Sequence, residues 1–123
     1  MEIIQVEQLI DYANKYYDAV EEVYGHSKHH TTTPHVYLCE DQLEGGTKGE
    51  YCYLINEITI YYNNIHSHEE LIRVLIHEYQ HYLQSPSWFT RYYRMGYRYD
   101  NHPYEVAAYK EEENWKQIWK KAS

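Results

Sequence analysis

Between Ser67 and Gln84 the residue pattern leaves little choice but a helix. Ser67 with Glu70 three residues on is a capping-box pattern, and Glu69 and Glu70 suit the positive end of a helix dipole. At about 100° per residue, Leu71, Tyr82, Leu75, Tyr79, Ile72, Leu83 and Ile76 make one continuous apolar arc, so the spacing predicts a helix from about His68 to Gln84. His77 and His81 fall on the opposite side with Glu70, Arg73 and Gln84, and Val74 and Glu78 stand on its flanks. Any fold of this chain must therefore cover one side of this helix. The other side faces either solvent or something that uses histidine.

Other elements can supply that cover. From Ile3 to Tyr24 apolar positions recur at Ile3, Val6, Leu9, Ile10, Ala13, Tyr17 and Val20, which is helical spacing, and Gly25 is a natural stop. The polar stretch "HSKHHTTTPH" follows as a loop; its irregularly spaced His26, His29, His30 and His35 are read as solvated. Three β-rich runs come next, His35 to Glu40, Glu50 to Ile55 and Glu57 to Tyr62. They predict a small three-stranded, mainly antiparallel sheet, with "LEGGTKG" as a long turn and Asn56-Glu57 as a tight hairpin. Pro103 favours a first helical position, so a last helix is expected from Asn101 or His102 to about Lys120. The expected class is α+β, with an N-terminal helix, the sheet, the histidine-bearing helix and a C-terminal helix.

At 123 residues and 43% hydrophobic content, the chain is expected to form one small domain over residues 1–123. Its net charge of -8, with the basic residues scattered, argues against a nucleic-acid partner, which would need a clustered basic surface. The apolar runs are too short for a membrane span, and "MEIIQVEQLI" has acids where an export signal has bases, so a cytoplasmic protein without membrane attachment is expected. Cys39 and Cys52 are too few for a disulfide framework and lack the CxxC spacing of a redox or structural metal site.

The polar side of the central helix carries His77-Glu78-Tyr79-Gln80-His81. Histidines four apart stack on one face a turn apart, so both imidazoles can reach one tetrahedral ion. Glu78, beside the first, sits close to such an ion without ligating it and can take a proton from a bound water. The plain alternative is an ordinary solvated face. A catalytic site needs a third protein ligand, and "RYDNHPYEVAAYKEEENWKQIWKK" must supply it. Residues 105, 108, 112, 115 and 119 share one side of a helix, which aligns Glu105 with Ala108, Trp115 and Trp119; Glu112 interrupts this stripe. An inward carboxylate is costly unless paired or metal-bound, which favours Glu105, although a first-turn acid also suits the dipole. His102 is the other candidate ligand. For an oxyanion donor the neighbouring stretch offers several groups, of which His102 and Tyr99 stand just ahead of the last helix.

"HEYQH" followed by the glutamate of "NHPYEVAA" resembles the gluzincin clan of zinc metallopeptidases, and at this length the single-domain minigluzincins. The resemblance covers nearly the whole order of elements. It implies one zinc ion held by His77, His81 and Glu105, with Glu78 as the general base. It also implies a peptide or protein substrate that adds as a strand to an exposed sheet edge. The chain departs from the thermolysin-like signature at one position: Tyr109 stands where an acid, four residues after the ligand glutamate, orients a histidine. A zinc-bearing regulatory or interaction domain that keeps the fold without catalysis is the alternative from a different class.

Overall fold

The computed structural model describes residues 6–43 and 45–123. Ile3 and the start expected for the first helix lie outside these residues.

Helix α1 (Val6–Tyr24) turns Leu9, Ala13, Tyr16, Tyr17 and Val20 into the core. Ile10, expected on that face, is 57% exposed, because the buried stripe runs through Tyr16 and Tyr17 instead. Gly25 ends the helix at φ 76°, a left-handed conformation that costs glycine little. Its carbonyl accepts the hydroxyl hydrogen of Tyr79, which ties the turn to the central helix.

Strands β1 (His35–Cys39), β2 (Gly49–Cys52) and β3 (Glu57–Tyr61) form one sheet in the order β1-β3-β2. β2 pairs antiparallel with β3, as the hairpin pattern suggests, whereas β1 runs parallel to β3, so the sheet is mixed rather than mainly antiparallel. The long connection after β1 carries the chain past β3 before it turns back, and this sets the direction of β1. The hairpin is also looser than expected. Cys52 pairs with Glu57, leaving Tyr53 to Asn56 as the turn, with Asn56 at φ 50° and its side chain bonded to the Tyr51 hydroxyl and the Thr32 carbonyl. Leu54 and Ile55, expected to be in the strand, are therefore exposed. In the central strand Ile58 and Ile60 are fully buried toward the helices.

Helix α2 (His68–Leu83) starts where its pattern says. Ser67 Oγ accepts the Glu70 amide at 3.1 Å, and the Glu70 carboxylate accepts the amide of His66, one residue before the cap. Leu71, Ile72, Leu75, Ile76, Tyr79 and Tyr82 are buried as the arc requires, and Leu83 half-buried. Each such aliphatic side chain contributes about 1.5–3 kcal/mol on burial. This face meets α1 and the sheet.

Helix α3 (Pro86–Arg94) was not anticipated, although Ser85 caps it and Pro86 occupies its first turn. It buries no residue fully, so it has no apolar period for a core to enforce. Helix α4 (Pro103–Glu111), a 3-10 turn (Glu112–Asn114) and α5 (Trp115–Ala122) follow in the place of one continuous last helix. Glu105 and Ala108 point inward as expected, but beyond the 3-10 turn Ile118 is the fully buried residue and Trp119 is partly exposed. The inward stripe shifts because α4 packs on α2 while α5 packs on both α1 and α2. Both cysteines are free and half-buried. Among the described residues, no helix is long and apolar enough to cross a membrane.

Candidate metal centre

The polar side of α2 is not a solvated face. His77 and Glu78 are buried, and α4 lies across them, bringing in Glu105 at 3% exposure. Residues four apart on α2 present both imidazoles to the same carboxylate oxygen: His77 Nε2 lies 3.0 Å and His81 Nε2 2.6 Å from Glu105 Oε1. The two rings meet edge to face at 5.0 Å. Among the described residues, His77, Glu78 and His81 form a group whose donor atoms lie within 4.8 Å of one another, and Glu105, outside that group, reaches both of its imidazoles.

The far nitrogen of each imidazole is held from outside. His77 Nδ1 donates to Glu112 Oε2 at 2.8 Å. His81 Nδ1 donates to Gln84 Oε1 at 2.7 Å, and Gln84 is oriented by its own Nε2, which donates to the Tyr104 carbonyl. With both Nδ1 hydrogens committed, a neutral imidazole has only its Nε2 lone pair to offer. A lone pair on either nitrogen and the carboxylate oxygen repel at 3.0 and 2.6 Å, so each contact calls for a proton or a cation between the two atoms.

Without a cation the protons do this work. Burial alone would lower the pKa of His77, but Glu105 and Glu112 outweigh it and lift the pKa to about 9. Burial likewise opposes ionisation of Glu105, and the two imidazoles outweigh it, holding the carboxyl at about 2. A divalent cation fits the same donors. Zinc takes imidazole nitrogen and carboxylate oxygen at about 2.0–2.2 Å, so tetrahedral donors stand roughly 3.3 Å apart, slightly wider than the 3.0 and 2.6 Å from the two imidazoles to Glu105 Oε1. The outer acceptors on both imidazoles are the second layer that metal-bound histidines normally carry.

Glu78 lies beside this cluster and is not hydrogen-bonded within it. Burial is the main cause of its raised pKa, which the neighbouring imidazoles pull back and Glu105 and Glu50 push further, to about 7. Its carboxylate stands between two depressions, of about 190 Å³ on the His81 side and about 570 Å³ on the His77 side; Gly49, Glu78 and Tyr99 line both. Gly49 is needed for this approach. A Cβ there would lie 2.6 Å from Val74 Cγ1 and 3.0 Å from the Thr59 carbonyl, so only glycine lets the free edge of β2 come this close to α2.

Of the two oxyanion candidates, Tyr99 lies at the cleft, its hydroxyl held above the ordinary phenol range by burial, by a hydrogen bond with Tyr109 and by Glu105. His102 does not. It is fully buried, its Nε2 donates to the Phe89 carbonyl at 2.9 Å, and its Nδ1 accepts the Tyr104 amide at 3.1 Å as the cap of α4. Both nitrogens are used, which corrects the expectation that His102 could be an oxyanion donor or the third ligand. Tyr109 packs its ring against His77 at 4.5 Å. The carboxylate on His77 Nδ1 is that of Glu112. Its signal was present in the sequence as an acid interrupting an inward stripe; Gln84 showed only as a polar residue on the histidine side. The loop histidines are dispersed, His26 on Glu21 and His30 on Tyr51. No protein-family model matches the chain, and no curated protein or solved structure is similar enough to match it.

Proposed function

We propose that the chain is a zinc-dependent metallopeptidase of gluzincin type, with His77, His81 and Glu105 as the ligands of one zinc ion and Glu78 as general base. The observation that carries this reading is the convergence of both Nε2 atoms on Glu105 Oε1 while Glu112 and Gln84 hold both Nδ1 atoms. An ion bound there would supply Lewis-acid polarisation of a water and of the substrate carbonyl.

The chain's own residues do the rest. Glu78, with its pKa near 7, accepts a proton from the water whose oxygen attacks the peptide carbonyl carbon. As the C–N bond breaks, the same carboxyl returns that proton to the leaving nitrogen. The Tyr99 hydroxyl, beside Glu78 in the cleft, donates a hydrogen bond to the carbonyl oxygen as charge grows on it. The substrate lies extended along β2, an edge strand whose free side borders the cleft at Gly49.

The test is Glu78→Gln in zinc-loaded protein, assayed on an unstructured protein substrate. It should retain one zinc per chain and lose cleavage; undiminished cleavage would exclude Glu78 as the base. Stoichiometric zinc with no cleavage by the wild type would favour the non-catalytic reading.

A further inference from the structure

The two halves of the cleft differ in chemistry. On the His77 side the walls carry Lys48, Glu70, Arg73 and Glu112, and the space is wide and polar. On the His81 side the space is small and walled by Tyr51, Tyr53, Pro86, Phe89 and Tyr99. Its volume of about 190 Å³ exceeds the ~150 Å³ at which an apolar cavity accommodates a benzene ring. Phe89 is not free to close this space: its ring is wedged against His81 at 5.4 Å, His102 at 4.3 Å and Tyr93 at 5.5 Å. The pocket is thus preformed, and the buried His102 buttresses its wall. Glu50, on the same rim, accepts the Tyr61 hydroxyl hydrogen and is already engaged.

We infer that this pocket is the specificity site of the chain and takes a large apolar side chain, aromatic by preference, on one side of the bond to be cleaved. The inference rests on the peptidase reading for its substrate but not for its ligand chemistry. An aromatic ring fills the volume and loses its water against five apolar or aromatic walls, with the Glu78 carboxyl at the inner end where the reacting bond would lie. Of the carboxylates on its lining, Glu50 is bonded to Tyr61 and Glu105 to both imidazoles, and Glu78 is the group assigned to the reaction itself, which leaves none for a lysine or arginine side chain to pair with. The depression of about 570 Å³ on the other side is too wide to enclose a single side chain and carries charged walls, so selection is one-sided.

The experiment has two arms. In the first, zinc-loaded protein is given peptides identical except at one position, Phe, Leu, Ala or Arg, and cleavage sites and kcat/KM are read by mass spectrometry. Cleavage beside Phe should exceed that beside Ala by about tenfold or more, the range apolar pockets deliver. Thr90→Trp, which fills the mouth from the exposed side of α3, should abolish that preference while zinc content and thermal midpoint stay unchanged. In the second arm, N-acetyl-phenylalaninamide and N-acetyl-alaninamide are titrated while NMR shifts of β2 and α3 are followed; only the first should bind, and Thr90→Trp should block it. Peptides cleaved without preference for Phe, or with preference for Arg, would overturn the inference and leave the peptidase reading intact. Binding of the aromatic amide without cleavage of any peptide would support the pocket and overturn the peptidase reading. Neither binding nor cleavage would overturn both.

Discussion

His77 Nδ1 donates to Glu112 Oε2 at 2.8 Å, joining α2 to the 3-10 turn seven residues, or about two helical turns, beyond Glu105. A carboxylate in this position fixes which nitrogen of His77 faces the cluster and how the ring is turned. Glu112→Ala should therefore weaken zinc binding by about 10- to 100-fold. Glu112→Gln, which keeps an acceptor oxygen, should recover part of that loss. Competition with a chelator measures both, and equal affinity for all three proteins would exclude an orienting role.

Glu105 and His102 stand three residues apart and should behave oppositely. Glu105→Ala removes the oxygen on which both imidazoles converge, so stoichiometric zinc should be lost at neutral pH. His102→Ala removes a helix cap and a fully buried ring, so it should destabilise the fold by about 2–4 kcal/mol while leaving the zinc content unchanged. Metal analysis and thermal melts on the two variants separate these roles; zinc retained in Glu105→Ala would remove that residue from the ligand set.

Gly49→Ala should cost about 1–3 kcal/mol, because its methyl group would collide with Val74 Cγ1 and press on the Thr59 carbonyl. Val74→Ala in the same chain removes the first of these contacts and should restore part of the stability. A double-mutant cycle by denaturant unfolding reads the coupling. Additive losses would show that the close approach of β2 to α2 is not what glycine permits.

Tyrosine burial sets a limit at high pH. Burial raises the phenol of Tyr16 to about 12, and raises those of Tyr17, Tyr51 and Tyr79 as well. Their ordinary value is near 10, so folding favours the protonated form. The stability this contributes is complete below about pH 10 and is lost as the pH rises through the raised folded values. Tyrosinate absorbance should therefore show exposed phenols titrating first, then a cooperative step that coincides with loss of circular dichroism. A smooth titration of every tyrosine in the folded chain would contradict the burial of these rings.

Much of this molecule was legible locally. Ser67 as a cap, the arc from Leu71 to Tyr82 and the inward Glu105 all follow from helical period, which neighbours in sequence determine. What was not legible depends on partners far along the chain. The parallel pairing of β1 depends on the path after Cys39, and no residue within the strand records it. Helix α3 was missed because its aromatic residues stack on His102 and on each other rather than filling a core. At the site, the histidine pair and Glu105 could be found by spacing, whereas Glu112 became legible only once α4 was laid against α2. His102 looked like a ligand because a histidine before a proline shows its chemistry but not its burial.

The shift of the inward stripe beyond the 3-10 turn has a consequence for tuning. Glu105 and Glu112 belong to the same run of chain as Ile118, which is seated fully in the core, and Trp119, whose ring lies 6.0 Å from that of Tyr16. That run is thus anchored at its far end against α1 and α2. Glu105 and Glu112 therefore reach the two histidines from a segment whose far end is held by apolar packing against α1. If the proposed ion binds there, exchanging Ile118 for a bulkier or slighter side chain should change its affinity without touching any proposed ligand.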